Sequence, residues 1–273
     1  MMNQLIQLTE MSGSQMMVYI LTLQDGRFIV IDGGTEAETD EVLSLLRERS
    51  AHPCVAAWLL THAHYDHITA FLRVMRDHRE EVTVERVLYN FPSQAFLETY
   101  EPNYAFSAAE FSALLPMFAD AAVVVNTGDR FTFGEVQIDV LHTPDPALTG
   151  NAINNSSVVF AIEVSEQKLL FLGDLGVAGG KQLLEQNTPE QLRADVCQMA
   201  HHGQSGVDRA VYEAIGPRVC LWSTPAWRWD NVGEGGPNTG PWKTVAVRGW
   251  MQSIGVAEHY VSKDGVCVLG LPL

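Results

Sequence analysis

The sequence predicts an α/β fold in which two mixed β-sheets pack face to face between helical layers, an αββα sandwich. Three observations lead there. Short apolar runs come in two batches, one before residue 90 and one after residue 120, and helical patterns are interspersed with both. The run Val55 to Leu60 reads as a buried strand and passes into His62-Ala63-His64-Tyr65-Asp66-His67. Beyond it, Ile68, Phe71, Leu72 and Met75 fall at the i, i+3, i+4, i+7 spacing of an amphipathic helix. A hydrophobic share of 47% against 18% charged residues lets 273 residues fill a sizeable core. We read 1–273 as one domain.

Taken in order, Met17 to Leu23 and Arg27 to Ile31 read as paired strands across the turn Gln24-Asp25-Gly26, the second ending in Asp32-Gly33-Gly34. Val82 to Tyr89 reads as a further strand. Residues 90–120 break the pattern with Phe91, Phe96, Tyr100, Tyr104, Phe106 and Phe111 and with helical stretches around 93–100 and 107–118. This insertion is either a helical lid over a site or a pair of helices packed outside the sheet. Strands resume at Ala122 to Val125, Arg130 to Phe133, Val136 to Leu141, Ser157 to Val164 and Lys168 to Leu172. A helix covers roughly 180–193, and Val196 to Ala200 runs into His201-His202-Gly203.

The net charge of −16 argues against a stable nucleic-acid complex, because counterion-release affinity needs clustered Lys and Arg. Cys54, Cys197, Cys220 and Cys267 form no C-x-x-C pair and read as buried thiols. The start Met1-Met2-Asn3-Gln4 has no signal-peptide pattern, and no apolar run nears the ~20 residues that span a bilayer. The expectation is a cytoplasmic protein without membrane attachment, acting on a small-molecule substrate.

The histidine cluster carries the chemistry. It sits on a strand-to-helix turn, at the sheet end where open α/β proteins place ligands. Residues two apart in an extended chain point the same way, so His62 and His64 can converge on one ion. Asp66 and His67, past the bend, suit a second. Asp174 follows a strand through Gly173, and its two oxygens can bridge two cations. His201 and His202 follow another strand. Asp32, also at a strand end, suits orienting a ligand histidine through a hydrogen bond better than binding metal itself. His52, His78 and His259 read as surface or packing residues, and His142 likewise, although it too follows a strand.

In this order the residues resemble the metallo-β-lactamase superfamily. Within it, the chain is most similar to the hydrolase domain of the bacterial competence DNA-uptake channel and its freestanding relatives. Asn154-Asn155-Ser156-Ser157, Gly173-Asp174 and His201-His202-Gly203-Gln204-Ser205 carry that likeness. The resemblance implies a dinuclear hydrolase: His62 and His64 on the first ion, Asp66, His67 and His201 on the second, and Asp174 between them. His201 is assigned as the ligand because it comes first off its strand, His202 as a proton donor, and Asp66 also as an orienter of water. Where most members carry a third histidine for the first ion, an oxygen of Asn154 or Asn155, or water, takes its place. Zinc is the expected metal, and an oxygen ligand also admits manganese. The branch's Gly-His-Pro turn is replaced by Asn238-Thr239-Gly240-Pro241-Trp242, which puts a shared substrate in question.

Three functions compete. The likeness favours hydrolysis of a small phosphoric (di)ester. The same fold serves lactone, ester and amide hydrolases, because substrate choice lives in loops. The third is a non-catalytic, metal-stabilised binding protein. Five of the six tryptophans, Trp222, Trp227, Trp229, Trp242 and Trp250, fall in the C-terminal region, and three of them flank the Gly/Pro-rich loop 231–241. They either pack the last helix and strand or cage a base or a quaternary ammonium.

Overall fold

Strands whose every side chain is buried need cover on both faces, and the five-residue strands Val18–Thr22 and Phe28–Asp32 are among those that meet this description. The computed structural model describes residues 2–273 and shows what covers them. Fifteen strands run in chain order as β1 (Asn3–Gln7), β2 (Val18–Thr22), β3 (Phe28–Asp32), β4 (Cys54–Leu59), β5 (Thr83–Val84), β6 (Val87–Tyr89), β7 (Ala122–Val124), β8 (Arg130–Phe133), β9 (Val136–His142), β10 (Val159–Val164), β11 (Gln167–Phe171), β12 (Val196–Gln198), β13 (Val219–Trp222), β14 (Glu258–Val261) and β15 (Cys267–Leu271).

They form two mixed sheets. The first has the order β15-β1-β2-β3-β4-β6-β7, with β5 also pairing β4; the second has the order β14-β13-β12-β11-β10-β9-β8. Tyr19, Leu21, Ile29 and Ile31 of the first sheet meet Ile138, Phe160, Ile162 and Phe171 of the second in one apolar layer. Their neighbours Val18, Ile20, Phe28 and Val30 point the other way, under α1 (Thr39–Arg47) and α2 (Tyr65–Asp77). This is the period-2 alternation of a strand buried on both sides. The outer face of the second sheet is closed by helices including Arg209–Ile215 and Thr244–Ile254, which supply Val211, Tyr212, Val247 and Met251. The expected sandwich is the observed one.

Both sheets repeat one pairing scheme. Antiparallel ladders run from β15 to β3, and parallel ladders from β3 through β4 and β6 to β7. In the second sheet β8 to β11 are antiparallel, and β11 to β14 parallel. The switch falls at β3/β4 in one sheet and β11/β12 in the other. Asp32 and His62 lie at the ends of the first pair, Asp174 and His201-His202 just past the ends of the second.

Local chemistry moves several boundaries. The helix expected at 180–193 is α5, labelled after α3 (Gln94–Tyr100) and α4 (Phe106–Leu114); it spans Val177–Gln186 and stops at Asn187. A new turn, Pro189–Leu192, then starts behind a Thr188/Gln191 capping box. The strand expected from Ser157 begins at Val159, because Asn154–Ser156 forms a 3₁₀ turn. Val82 to Tyr89 divides into β5 and β6, and β1 had no counterpart in the sequence reading. The insertion contributes both to helical packing and to a cavity wall. Phe111 of α4 packs on Phe71 and Phe118, while Tyr100 to Tyr104 line a cavity beside His64. Cys197 and Cys220 are buried and Cys54 and Cys267 half-buried, all four as free thiols. Among the described residues no helix is long and apolar enough to cross a membrane.

Candidate metal centre

The strand-to-helix turn after β4 is shaped by backbone demands at its neighbours. Gly33, just past β3, donates its N–H to the His67 carbonyl at 2.6 Å, and a Cβ there would lie 2.9 Å from the Phe71 nitrogen. Only glycine lets α2 pack this close to the strand end. His64 caps α2 in extended conformation, so Asp66 and His67 occupy the helix's first turn while His62 and His64 stay on extended backbone. The cluster thereby splits into two pairs with different directions.

Hydrogen bonds fix which ring nitrogen each histidine presents. Asp32 is fully buried at the end of β3. It accepts from the Thr61 amide (2.8 Å) and hydroxyl (2.7 Å), and its Oδ2 lies 2.7 Å from His67 Nδ1. His67 Nε2 is thereby turned toward Asp174, 3.2 Å from Oδ1. His62 Nδ1 is held by the Thr61 hydroxyl at 3.0 Å, and its Nε2 faces His64 Nδ1 at 3.1 Å. His202 Nδ1 donates to the Ser223 carbonyl at 2.9 Å, leaving Nε2 at 3.4 Å from both Asp66 Oδ2 and Asp174 Oδ2. Buried imidazoles oriented through one nitrogen, with the other directed inward, are what a metal centre requires.

The result is two groups of convergent donors, His62/His64/Asp174 and Asp66/His67/His202, each with its ligand atoms within 4.8 Å of one another. Asp174 lies between them. Both its oxygens are buried without a hydrogen-bond partner, as are His67 Nε2 and His202 Nε2. A buried carboxylate left without hydrogen bonds is strongly unfavourable unless a cation completes it. The donor set fits divalent metal.

The charges point the same way. Burial favours the neutral forms of His62 and His64, putting His62 well below its ordinary pKa and His64 down to about 4. Burial is the largest single pull on His67 and His202 and favours their neutral forms, but Asp174 together with Asp32 for His67 and with Asp66 for His202 outweighs it, and both end above the ordinary value. Against the same desolvation, the His67 and His202 charges hold Asp66 and Asp174 below the usual carboxylate range. The two carboxylates thus carry charge that protonated histidines balance in the metal-free chain.

His201 does not join either group. Its Nδ1 donates to the Ser205 carbonyl at 3.2 Å, its Nε2 accepts from the Gln204 amide at 2.9 Å, and its nearest approach to Asp174 is 3.8 Å. The expectation that His201 completes the second donor set, with His202 as proton donor, is therefore reversed in the geometry. The reason is backbone hand: His201 (φ 53°), His202 (φ 56°) and Gly203 (φ 70°) are three consecutive left-handed residues. Strand alternation cannot be extrapolated through such a turn. Gly203 is required there as well, since a Cβ would fall 2.2 Å from the Trp222 ring.

Of the two asparagines, Asn155 is committed to the backbone, donating to the Gly150 carbonyl and accepting from the Gly179 amide. Asn154 lines the cavity beside His64, its Oδ1 buried and unpartnered. His142 is buried and held by the Ser157 carbonyl and Gln182, outside both groups.

A cavity of about 680 Å³ opens above the donors, walled by the 100–104 turn, by Asn151 and Asn154, and by Trp227, Arg228 and Trp242. Two of its residues carry no signal in the sequence reading. Gln15 donates to Asp66 Oδ2 at 2.7 Å, and Arg228 sits against two of the tryptophans. The Trp-Arg-Trp run at 227–229 is the cue that points to Arg228. Trp222, Trp229 and Trp250 pack in the core of the second sheet, as the packing reading expects.

The model of the metallo-beta-lactamase superfamily matches residues 12–217, well over half of the chain. The chain belongs to this superfamily. Solved members of the fold overlay it along nearly its whole length. The metallo-beta-lactamase fold protein YhfI from Bacillus subtilis is 13% identical at a TM-score of 0.56, covering 97% of this chain and 99% of its own. Zn(2+)-bound PqqB from Methylobacterium extorquens is 13% identical at 0.56, with 98% and 100% covered. CmlA, a diiron beta-hydroxylase from Streptomyces venezuelae, is 12% identical at 0.58, with 99% of this chain and 54% of CmlA covered. At these identities the overlays establish the metallo-beta-lactamase fold. No curated protein matches the sequence.

Proposed function

We propose that the chain is a metal-dependent hydrolase with a dinuclear site, acting on a small phosphoric (di)ester. The observation that carries this reading is Asp174, whose two buried, unpartnered oxygens lie between His62/His64 and Asp66/His67/His202. In this reading His62 and His64 hold one ion, Asp66, His67 and His202 the other, and Asp174 both; Asn154 Oδ1 is the oxygen nearest in kind to a further ligand of the first. Zinc suits the imidazole-rich set, and manganese its carboxylate and amide oxygens. Bound there, two divalent ions supply Lewis acidity and bring the pKa of water down to about 7.

The chain's own groups do the rest. Asp32 fixes the His67 tautomer, and Ser223 that of His202. Gln15 positions the Asp66 carboxylate, which is placed to orient the attacking water. His201 lines the cavity 3.8 Å from Asp174, and it would serve a leaving group as proton donor only by exchanging the Gln204 amide on its Nε2 for a proton. The turn 100–104 walls the cavity against solvent. Asp174, with His62 and His64 on one side and Asp66, His67 and His202 on the other, would hold divalent metal that can supply Lewis acidity for displacement at phosphorus, and the Asn154-to-Ser157 and His201-to-Ser205 runs favour phosphoric over carboxylic esters by resemblance. We also place the whole chain in one domain and expect no stable nucleic-acid complex.

The test is a panel of zinc- and manganese-reconstituted protein against bis-aryl phosphate, aryl phosphate, phosphocholine esters, lactones and single-stranded DNA. Turnover of the small diester is expected. Lactone or amide turnover with inert phosphate esters would replace the substrate class, and two bound ions without any turnover would leave a binding protein.

A further inference from the structure

Two of the tryptophans weighed as either packing residues or a cage for a base or a quaternary ammonium carry a cation from within the chain. The rings of Trp227 and Trp242 meet edge to face at 5.5 Å, and the Arg228 guanidinium carbon lies 4.9 Å from one and 4.4 Å from the other. The cage is anchored at both ends. Trp227 Nε1 donates to the Gly13 carbonyl at 3.1 Å, and Asn231 accepts from the Trp242 amide at 2.9 Å and the Gly240 amide at 2.8 Å. The guanidinium lies over the corner that the two indoles form, in cation–π contact with both rings from one side.

The edge of the guanidinium has nothing to bind. Arg228 is only 4% exposed, its Nε and Nη1 have no hydrogen-bond partner, and among the described residues no carboxylate pairs with it. Burial lowers its pKa to about 10, with Asp174 and Asp66 pulling the other way, so it is charged at neutral pH. A buried, charged fork with free N–H groups is unfavourable unless an oxyanion completes it. Arg228 and both indoles line the same cavity as His64, Asp66 and His201.

We propose that Arg228, seated against the edge-to-face pair Trp227 and Trp242, is an oxyanion subsite of this cavity that selects substrates bearing a second anionic group, a carboxylate or a phosphate, away from the scissile bond. This rests on the cavity being the active site. It reverses the sign of the ligand group that the tryptophans by themselves suggest. A planar fork accepts either oxyanion in bidentate fashion, and the test separates the two.

The probes are alkyl phosphonates of graded chain length, ending in a methyl, a carboxylate or a second phosphonate, bound to the zinc-loaded full-length protein and followed by calorimetry. The wild type should prefer one of the double-anion series over the methyl-ended control of equal length by about 10- to 100-fold, the range of a charge-assisted hydrogen bond. The series showing the larger preference identifies the oxyanion. In Arg228→Gln the preference should collapse, and in Arg228→Lys, which keeps the charge but not the fork, it should be partly retained. No preference in the wild type, or a preference that persists undiminished in Arg228→Gln, overturns the proposal. Because the wild-type comparison needs no variant, poor folding of a substituted chain cannot shelter the idea. Because the readout is binding, a chain that hydrolyses nothing would refute the hydrolase reading without touching this one.

Discussion

Alanine at His202 and alanine at His201 should produce unequal damage, and the inequality can be worked out beforehand. In the metal-free chain His202 Nε2 lies 3.4 Å from both Asp66 and Asp174, all three groups being buried. Its removal leaves two carboxylates facing each other with less compensating charge, and breaking a buried pair this way costs about 3–5 kcal/mol. His201 is 18% exposed at its side chain and makes two ordinary hydrogen bonds, to Ser205 and Gln204. Their loss should cost about 0.5–1.5 kcal/mol each, about 1–3 kcal/mol together. Left-handed backbone strain is common to both positions and cancels in the comparison. For a chain of this size each kcal/mol shifts the melting midpoint by about 2–4 °C. His202→Ala should therefore lose roughly 6–20 °C and His201→Ala roughly 2–12 °C. Scanning calorimetry of chelator-stripped protein measures this, and elemental analysis after reconstitution supplies the second readout. There, His202→Ala should retain one ion and His201→Ala two, with reduced turnover. If His201→Ala lost the ion and His202→Ala kept both, the assignment drawn from the two ring environments would be wrong.

The remaining predictions are briefer. Asp32→Asn keeps the shape but turns an amide donor toward Thr61 or His67, so metal affinity in chelator competition should fall about 10- to 100-fold, and unchanged affinity would remove Asp32 from the support of His67. Gly203→Ala combines a positive φ with a Cβ driven into the Trp222 ring, and should destabilise by about 2–4 kcal/mol in urea titration; a wild-type midpoint would contradict the turn geometry. With a net charge of −16, added salt should leave the KM for a small anionic diester flat or lower it, whereas tight, steeply salt-sensitive binding of single-stranded DNA would restore a nuclease reading.

What the sequence exposed was whatever depends on spacing along one element. His62, His64, Asp66 and His67 fall within one strand-to-helix turn, so period-2 and period-3.6 directions sort them into two pairs without knowledge of the fold. Ile68, Phe71, Leu72 and Met75 are all buried for the same reason. The order of His201 and His202 was not legible, because three consecutive left-handed residues abolish the periodicity that such readings use. Arg228 was hidden differently. Its significance lies in Trp242, fourteen positions away around loop 231–241, and in its unpartnered edge, and neither is visible until the loop closes. The matching ladder schemes of the two sheets leave no trace as a sequence repeat, since burial between layers constrains polarity far more than identity.

The acidity of the chain and an anionic substrate are reconciled by geometry close to the donors. A field averaged over the surface at −16 repels anions at a distance, yet the residues that meet the substrate carry a different balance. Two carboxylates, Asp66 and Asp174, sit in the donor groups, and on the proposed reading two divalent ions would more than offset them. Arg228 adds a further positive charge on the cavity wall, insulated by indole rings from the solvent that would screen it. The walls are low-dielectric, so these few charges act at short range with more force than the scattered surface acids act at long range. Such a site captures small anions that can enter the cavity, and offers little to a polyanion that must lie along the negative exterior. The same arithmetic makes Arg228 and the ions interdependent. Without ions, protonated His67 and His202 do no more than offset Asp66 and Asp174, and Arg228 alone would hold an anion; with ions bound, the guanidinium would decide which anion stays.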